Sequence, residues 1–351
     1  MPTSNKDSAQ GCHIVITGGA GFLGVRLARA LLNQEHLALA GGAIRSVASI
    51  SLVDRYAPPQ DLADDPRVVV VTGDLNDLLE SNLTKTQVVP ANTDVVFHLA
   101  AAVSGECEAD FDLGMRSNFS ATLALLQACR ALQTRPMLVF ASSLAVFGDA
   151  PGTPLPAVIE DSTLPTPQSS YGIQKFVGEQ LMADFSRKGF IQGRTVRLMT
   201  VSVRPGKPNG AASSFLSGML REPLAGGRAT CPVPPETPVA LSSAGRTIAG
   251  LVCAAQTSDQ DWGPRTALTL PAITTTPADM AAALERVAGP QVAALIDWAP
   301  DAAVYNIVKT WPARIQATRA AGLGLLPESS FEDIIRDYVR ENTDAVVHPL
   351  R

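Results

Sequence analysis

The sequence predicts an α/β protein: a doubly wound parallel sheet of the Rossmann type, followed by a small C-terminal α/β lobe. Three observations carry this expectation. Cys12–Thr17 is a β-branched run that passes into Gly18-Gly19-Ala20-Gly21-Phe22-Leu23-Gly24 and then into helical apolar spacing as far as Asn33. Four further apolar runs, at residues 49–54, 68–72, 94–102 and 137–143, follow with helical patterns between several of them, as repeated βαβ units require. Beyond about Thr200 the alternation gives way to Pro-rich connections such as Cys231-Pro232-Val233-Pro234-Pro235 and to short helical patterns.

A chain of 351 residues accommodates one large α/β domain and a smaller lobe. We expect a polar tail at residues 1–10, a dinucleotide-binding domain at 11–200, and a mainly substrate-binding lobe at 201–351, with some segments of the latter returning to the sheet. The net charge of −5 comes with scattered Lys and Arg, so neither nucleic acid nor an anionic membrane is an expected partner. No apolar stretch of about 18 residues and no signal-like segment is present. Cys12, Cys107, Cys129, Cys231 and Cys253 are odd in number and never paired as C-x-x-C, which argues for a reducing cytoplasm and against disulfides or zinc. His13, His36, His98 and His348 are equally dispersed, so no metal is expected.

Each element then has a chemical reading. Gly18 permits the tight turn, Gly21 lets backbone approach a pyrophosphate, and Gly24 allows the helix to pack close to the strand, while the helix N-terminus offers N–H groups to phosphate. The run at 49–54 ends in Asp54, placed to accept from the adenine ribose hydroxyls and to repel a 2′-phosphate, which favours NAD over NADP. Residues 34–45 lengthen the usual spacing of about 20 residues and are read as an insertion. Arg55 beside the acid is either a phosphate partner or a solvent-facing charge. Asp74 either accepts from the adenine amine or caps the following helix. The small residues after His98 leave room for a cofactor at a strand's carboxyl end, and His98 itself reads as a core histidine. Residues 110–131 form a helical pattern containing Asn118. The next strand delivers Ser142 and Ser143 to the same edge, and a Pro- and Gly-rich loop at 148–168 borders the pocket region. It leads to Ser169-Ser170-Tyr171-Gly172-Ile173-Gln174-Lys175, where Tyr171 and Lys175 share one helix face. An ammonium near a phenol lowers its pKa and readies it as a base.

Taken in order, Thr17-Gly18-x-x-Gly21-x-x-Gly24, Asp54, Asp74-Leu75, His98-Leu99-Ala100-Ala101, Asn118, Ser142-Ser143-Leu144-Ala145-Val146-Phe147-Gly148 and Tyr171-x-x-x-Lys175 resemble the extended short-chain dehydrogenase/reductase family. The resemblance implies a catalytic group of Ser143, Tyr171 and Lys175. It implies NAD held by Gly18, Gly21, Phe22, Leu23, Gly24, Asp54, Asp74, Leu75, Ala100, Ala101, Asn118, Tyr171, Lys175 and Thr200. Leu144-Ala145 replace the acidic pair of the family's dehydratases, and no Asn shortly follows Arg197 as in its nucleotide-sugar epimerases. The segment Arg204-Pro205-Gly206-Lys207-Pro208-Asn209 with Ala212-Ser213-Ser214-Phe215, together with Val103-Ser104-Gly105-Glu106 and Asp110-Phe111-Asp112-Leu113-Gly114, is similar to the D-erythronate dehydrogenase branch. Met199 and Gly245 depart from that pattern. The branch implies oxidation of the 2-hydroxyl of a short, anionic sugar acid, with Ser104, Ser143, Tyr171, Ser213 and Arg246 on the substrate. A nucleotide-sugar 4-epimerase that retains its NAD is the alternative.

A carboxylate substrate wants a guanidinium or an ammonium. Arg246, Lys207 and Arg204 are the candidates, and Arg246, near the start of an expected helix through Cys253, is favoured. In the rest of the chain we expect a short strand at 267–271, a helix from a Thr276 cap to about Val287 and an amphipathic helix at 330–341, with Trp262, Trp298 and Trp311 in packing roles. The family also implies a homodimer paired through the helices at 110–131 and 169–188.

Overall fold

The computed structural model describes residues 11–207, 210–348 and 350. The expected tail at 1–10 and Pro208-Asn209 lie outside the described residues. Strand β1 (Cys12–Thr17) pairs in parallel with β2 (Arg45–Asp54) on one side and β4 (Val95–His98) on the other. Beyond β2 lies β3 (Val68–Thr72); beyond β4 follow β5 (Met137–Ser143), β6 (Gln192–Leu198) and the two-residue β7 (Leu268–Thr269), all parallel. The order 3-2-1-4-5-6-7 reverses direction between β1 and β4, which opens a crevice at the carboxyl ends of those strands.

Alternation along the strands decides which helices cover which face. Ile14 and Ile16 join Leu27, Leu31 and Leu32 of helix α1 (Phe22–Gln34) in one cluster, while Val15 joins Leu125 and Cys129 of α2 (Ala121–Ala131) and Met182 and Phe185 of α3 (Ser170–Arg187) in another. Each fully buried Leu or Ile contributes about 1.5–3 kcal/mol over an exposed one, so both layers are firmly held.

Residues 34–45 are a short antiparallel return. Glu35 takes φ 61 at the end of α1, and His36–Leu37 folds back on Arg45–Ser46, so β2 begins four residues earlier than the apolar run predicts. The helix expected at 110–131 is interrupted by a π-helical turn over Met115–Ser120. Asn118 explains the break. Its buried amide accepts from Ala102 N–H at 2.8 Å and donates to Ala102 O and to Gln174 Oε1, while Thr122 Oγ1 donates to the Asn118 carbonyl.

After Thr200 the chain builds a second core. Leu216, Met219 and Leu220 of α4 (Ser214–Leu224) meet Met280 and Leu284 of the helix Pro277–Ala288 and Ile334 and Ile335 of the helix Phe331–Glu341. Thr276 and Ser330 cap the latter two helices. Helix α5 (Ala244–Gln256), by contrast, packs Ile248, Leu251 and Ala254 into the cluster of α1, and β7 completes the main sheet. Trp262 is buried in that cluster, whereas Trp298 is exposed. Among the described residues no helix is long and apolar enough to cross a membrane, and no three His, Cys, Asp or Glu side chains gather to hold a metal.

Candidate active site

A cleft of about 540 Å³ runs along the carboxyl ends of the central strands. Of the residues expected at a site, Gly18, Gly21, Phe22, Leu23, Gly24, Asp54, Asp74, Leu75, Ala100, Ala101, Ser104, Ser143, Tyr171, Lys175, Thr200 and Ser213 line it. The loop at 148–168 contributes nothing to the wall.

One end has the shape a dinucleotide needs. Gly18 sits at φ +71, where a Cβ would stand 2.8 Å from Ala100 N, and a Cβ on Gly24 would stand 2.1 Å from Gly18 O. Neither position tolerates a side chain. Around Gly21 a Cβ would meet only Gly18 O, at 3.2 Å, so the turn is open on the cleft side. Asp54 accepts from Ala20 N–H and Tyr56 N–H, which fixes its carboxylate at the end of β2. These features fit the pyrophosphate and ribose of NAD. Asp74 caps a helix through Asn76 N–H and is gripped by Arg55 (Nε–Oδ2 3.1 Å) and Arg116 (3.2 Å). Burial opposes its charge, but the hydrogen bonds from Arg55, Asn76 and Arg116 outweigh that and hold the carboxyl at about 2. Beneath this end, buried His98 bridges Thr17 (2.7 Å) and Thr122 (2.9 Å), as a core histidine does; burial, helped by the charge of Lys175, lowers its pKa to about 3.

At the middle of the cleft Ser169 caps α3 by accepting from Gly172 N–H, and the helix carries Tyr171 and Lys175 into the wall. Gly172 is required for this approach, since a Cβ would stand 2.1 Å from Ala145 O. The Ser143 hydroxyl lies beside the Tyr171 phenol and favours its ionised form. Lys175 donates to Ala141 O at 2.9 Å, and its Nζ lies 5.7 Å from the Tyr171 ring centre. Burial lowers the lysine to about 8. Burial also raises Tyr171, and the groups that oppose this are Ser143 and Arg204. The sequence reading assigned that opposing charge to Lys175; here Lys175 is turned to a carbonyl, and Arg204 supplies it.

Two expected site residues stand elsewhere. Asn118 is buried behind the wall, tying Ala102 to α3 through Gln174. Arg246 is exposed and does not line the cleft. The buried face of α5 is Ala244, Thr247, Ile248 and Leu251, a spacing that leaves 246 on the opposite side and that was readable in the sequence. Lys207 is also exposed. Arg204, ranked behind Arg246 in the sequence, does line the cleft, half-buried, and burial lowers its pKa. Trp311, expected to serve packing alone, also forms part of the wall.

Behind the serines, Glu179 of α3 accepts from Ser142 (2.6 Å) and from Arg197 of β6 (2.9 and 2.7 Å), all three buried. This bolts α3 to the two strands that carry Ser142 and Arg197.

Residues 14–241 match the family model described as the NAD dependent epimerase/dehydratase family. A D-erythronate dehydrogenase from Cupriavidus necator is 50% identical over 329 residues, which is 94% of this chain and 98% of the relative. Another from Haemophilus influenzae is 40% identical over 326 residues, 93% and 98%. The crystal structure of a nucleoside-diphosphate-sugar epimerase from Agrobacterium tumefaciens is similar with a TM-score of 0.86 and 37% identity over 98% of both chains. A cleft shaped for a dinucleotide thus agrees with a match spanning most of the chain: the protein belongs to the NAD dependent epimerase/dehydratase family, the extended short-chain dehydrogenase/reductases, and is an NAD-dependent oxidoreductase acting on a CH–OH group.

Proposed function

We propose that the protein oxidises the 2-hydroxyl of a short sugar acid, D-erythronate or a close analogue, to the 2-oxo acid, with Ser143, Tyr171 and Lys175 as its catalytic group. The observation that carries this reading is Arg204: a half-buried guanidinium in the cleft beside Tyr171 that meets no carboxylate among the described residues. A guanidinium so placed suits a small carboxylate, which it can bind through two parallel hydrogen bonds. Arg204 therefore replaces Arg246 as our carboxylate ligand. Ser104 and Ser213, also in the wall, would take substrate hydroxyls.

In this reading Ser143 holds the reacting oxygen and Tyr171, as tyrosinate, takes the proton of the C2 hydroxyl. The C2–H bond breaks with its electron pair and the C2–O bond becomes a carbonyl. NAD, when bound, supplies the acceptor for that hydride. Lys175, buried at the base of the cleft, would bind the nicotinamide ribose, and its charge would favour the tyrosinate once drawn toward it.

The test is NADH absorbance with purified protein, NAD, four-carbon aldonic acids and, separately, UDP-sugars. NADH formed with a four-carbon 2-hydroxy acid supports the reading. The likeness to a structure described as an epimerase defines the rival outcome: conversion of a UDP-sugar without net NADH would replace the dehydrogenase with an epimerase.

A further inference from the structure

The sequence places an arginine, Arg55, directly after the acid that should receive the adenine ribose. An arginine near that position is what accommodates a 2′-phosphate in NADP-using enzymes. Here the side chain is committed. Arg55 reaches Asp74 Oδ2 through Nε at 3.1 Å and Nη2 at 2.5 Å. Asp74 is itself fixed by Asn76 N–H and by Arg116, which also holds Asp77 at 2.7 Å. Arg55, Asp54 and Asp74 all line the adenosine end of the cleft. The cleft wall thus holds one cation that could serve a phosphate, Arg55, and the carboxylate that engages it, while Arg116 grips the same carboxylate without lining the cleft.

We infer that Asp74 is a second cofactor-specificity residue: it selects NAD over NADP by holding Arg55 away from the place a 2′-phosphate would take, in addition to the repulsion that Asp54 exerts. The inference rests on NAD binding and not on the identity of the substrate. Its strength is bounded by exposure, since Arg55 and Arg116 are each half exposed and such pairs are weak. The effect should therefore be a modest change in ratio and not a switch.

The test measures binding of NADPH and NADH, by nicotinamide fluorescence without substrate, to the parent, Asp74→Asn and Asp74→Asn/Arg55→Ala. Asparagine keeps the helix cap and the side-chain size. Asp74→Asn should improve NADPH affinity relative to NADH by about five-fold, and the added Arg55→Ala should return the ratio toward the parent. An unchanged ratio in Asp74→Asn overturns the inference. So does a gain that survives Arg55→Ala, because the carboxylate would then act by its own charge and not through the arginine. Near-parental melting temperatures for both variants establish that the ratios come from folded protein; should Asp74→Asn unfold, the same ratios are read on Asp74→Ser, which also caps.

Discussion

At the dinucleotide end of the cleft the phosphate-facing turn is backbone and glycine from one unbroken stretch, β1 into α1, whereas the substrate end is made of side chains from distant parts of the chain. Ser104, Ser143, Tyr171, Arg204 and Ser213 come from different loops, strands and helices. The glycine turn itself carries no titratable side chain. His98 lies behind the cofactor end, sealed between Thr17 and Thr122, while Tyr171 and Arg204 face the cleft. Changes in side-chain chemistry should therefore alter rate and substrate affinity at the substrate end, and folding when made beneath the glycine turn.

The largest expected effect is at Tyr171. Replacement by Phe should lower kcat about 1,000-fold, within the range for loss of a general base, with NADH affinity and melting temperature close to the parent. Retained turnover would remove Tyr171 as the base; a large loss of stability would break the contrast between the two ends.

Next comes Arg204→Met, which should raise KM for a sugar acid roughly 100-fold, as expected for a lost charge-assisted hydrogen bond of about 3 kcal/mol. It should also move the alkaline-going rise of kcat/KM to higher pH, because the Arg204 charge helps to hold the Tyr171 pKa down. A Lys at this position should recover part of both. An unaltered KM with a normal pH profile would send the search for the carboxylate ligand elsewhere.

The smallest effect belongs to the cofactor end, and it acts on folding. His98 has an ordinary value of 6.5 and a folded value of about 3. Between these limits the unfolded chain holds a proton that the folded protein refuses, so the stability contributed by neutral His98 is complete above 6.5 and is lost progressively as pH falls toward 3. At pH 5 the loss is about 2 kcal/mol. Urea unfolding at pH 7 and pH 5 should show a smaller difference for His98→Asn than for the parent; equal differences would assign the acid sensitivity to other groups.

The same contrast explains what could be read without coordinates. The glycine turn, Asp54 and the Tyr171–Lys175 pair were legible because their chemistry demands fixed spacing within one element. Arg204 was underrated because its value depends on where the chain goes after β6, and spacing across a loop does not carry that. Asn118 was expected as a cofactor contact and not as a clamp, since its partners Ala102 and Gln174 lie on other segments. The Arg55 grip on Asp74 joins the ends of two neighbouring parallel strands, so the alternatives for both residues stayed open until β2 and β3 were aligned. Beyond Thr200 the short strand at 267–271 and the helices after Thr276 and Ser330 were legible from local signals, but the sheet that the strand joins was not, because a two-residue pairing offers almost no periodicity.

That short strand has a consequence for how the protein is made. Leu268–Thr269 pairs with Val196–Arg197, so the edge of β6 stays open while the intervening chain is translated. An emerging polypeptide that has already formed the glycine turn and α3 would still expose an unpaired strand edge, a template for other nascent chains. Closing it requires a contact far apart in sequence, which slows the last step of assembly. The ribosome thus delivers the cofactor motif first and the element that seals its sheet much later.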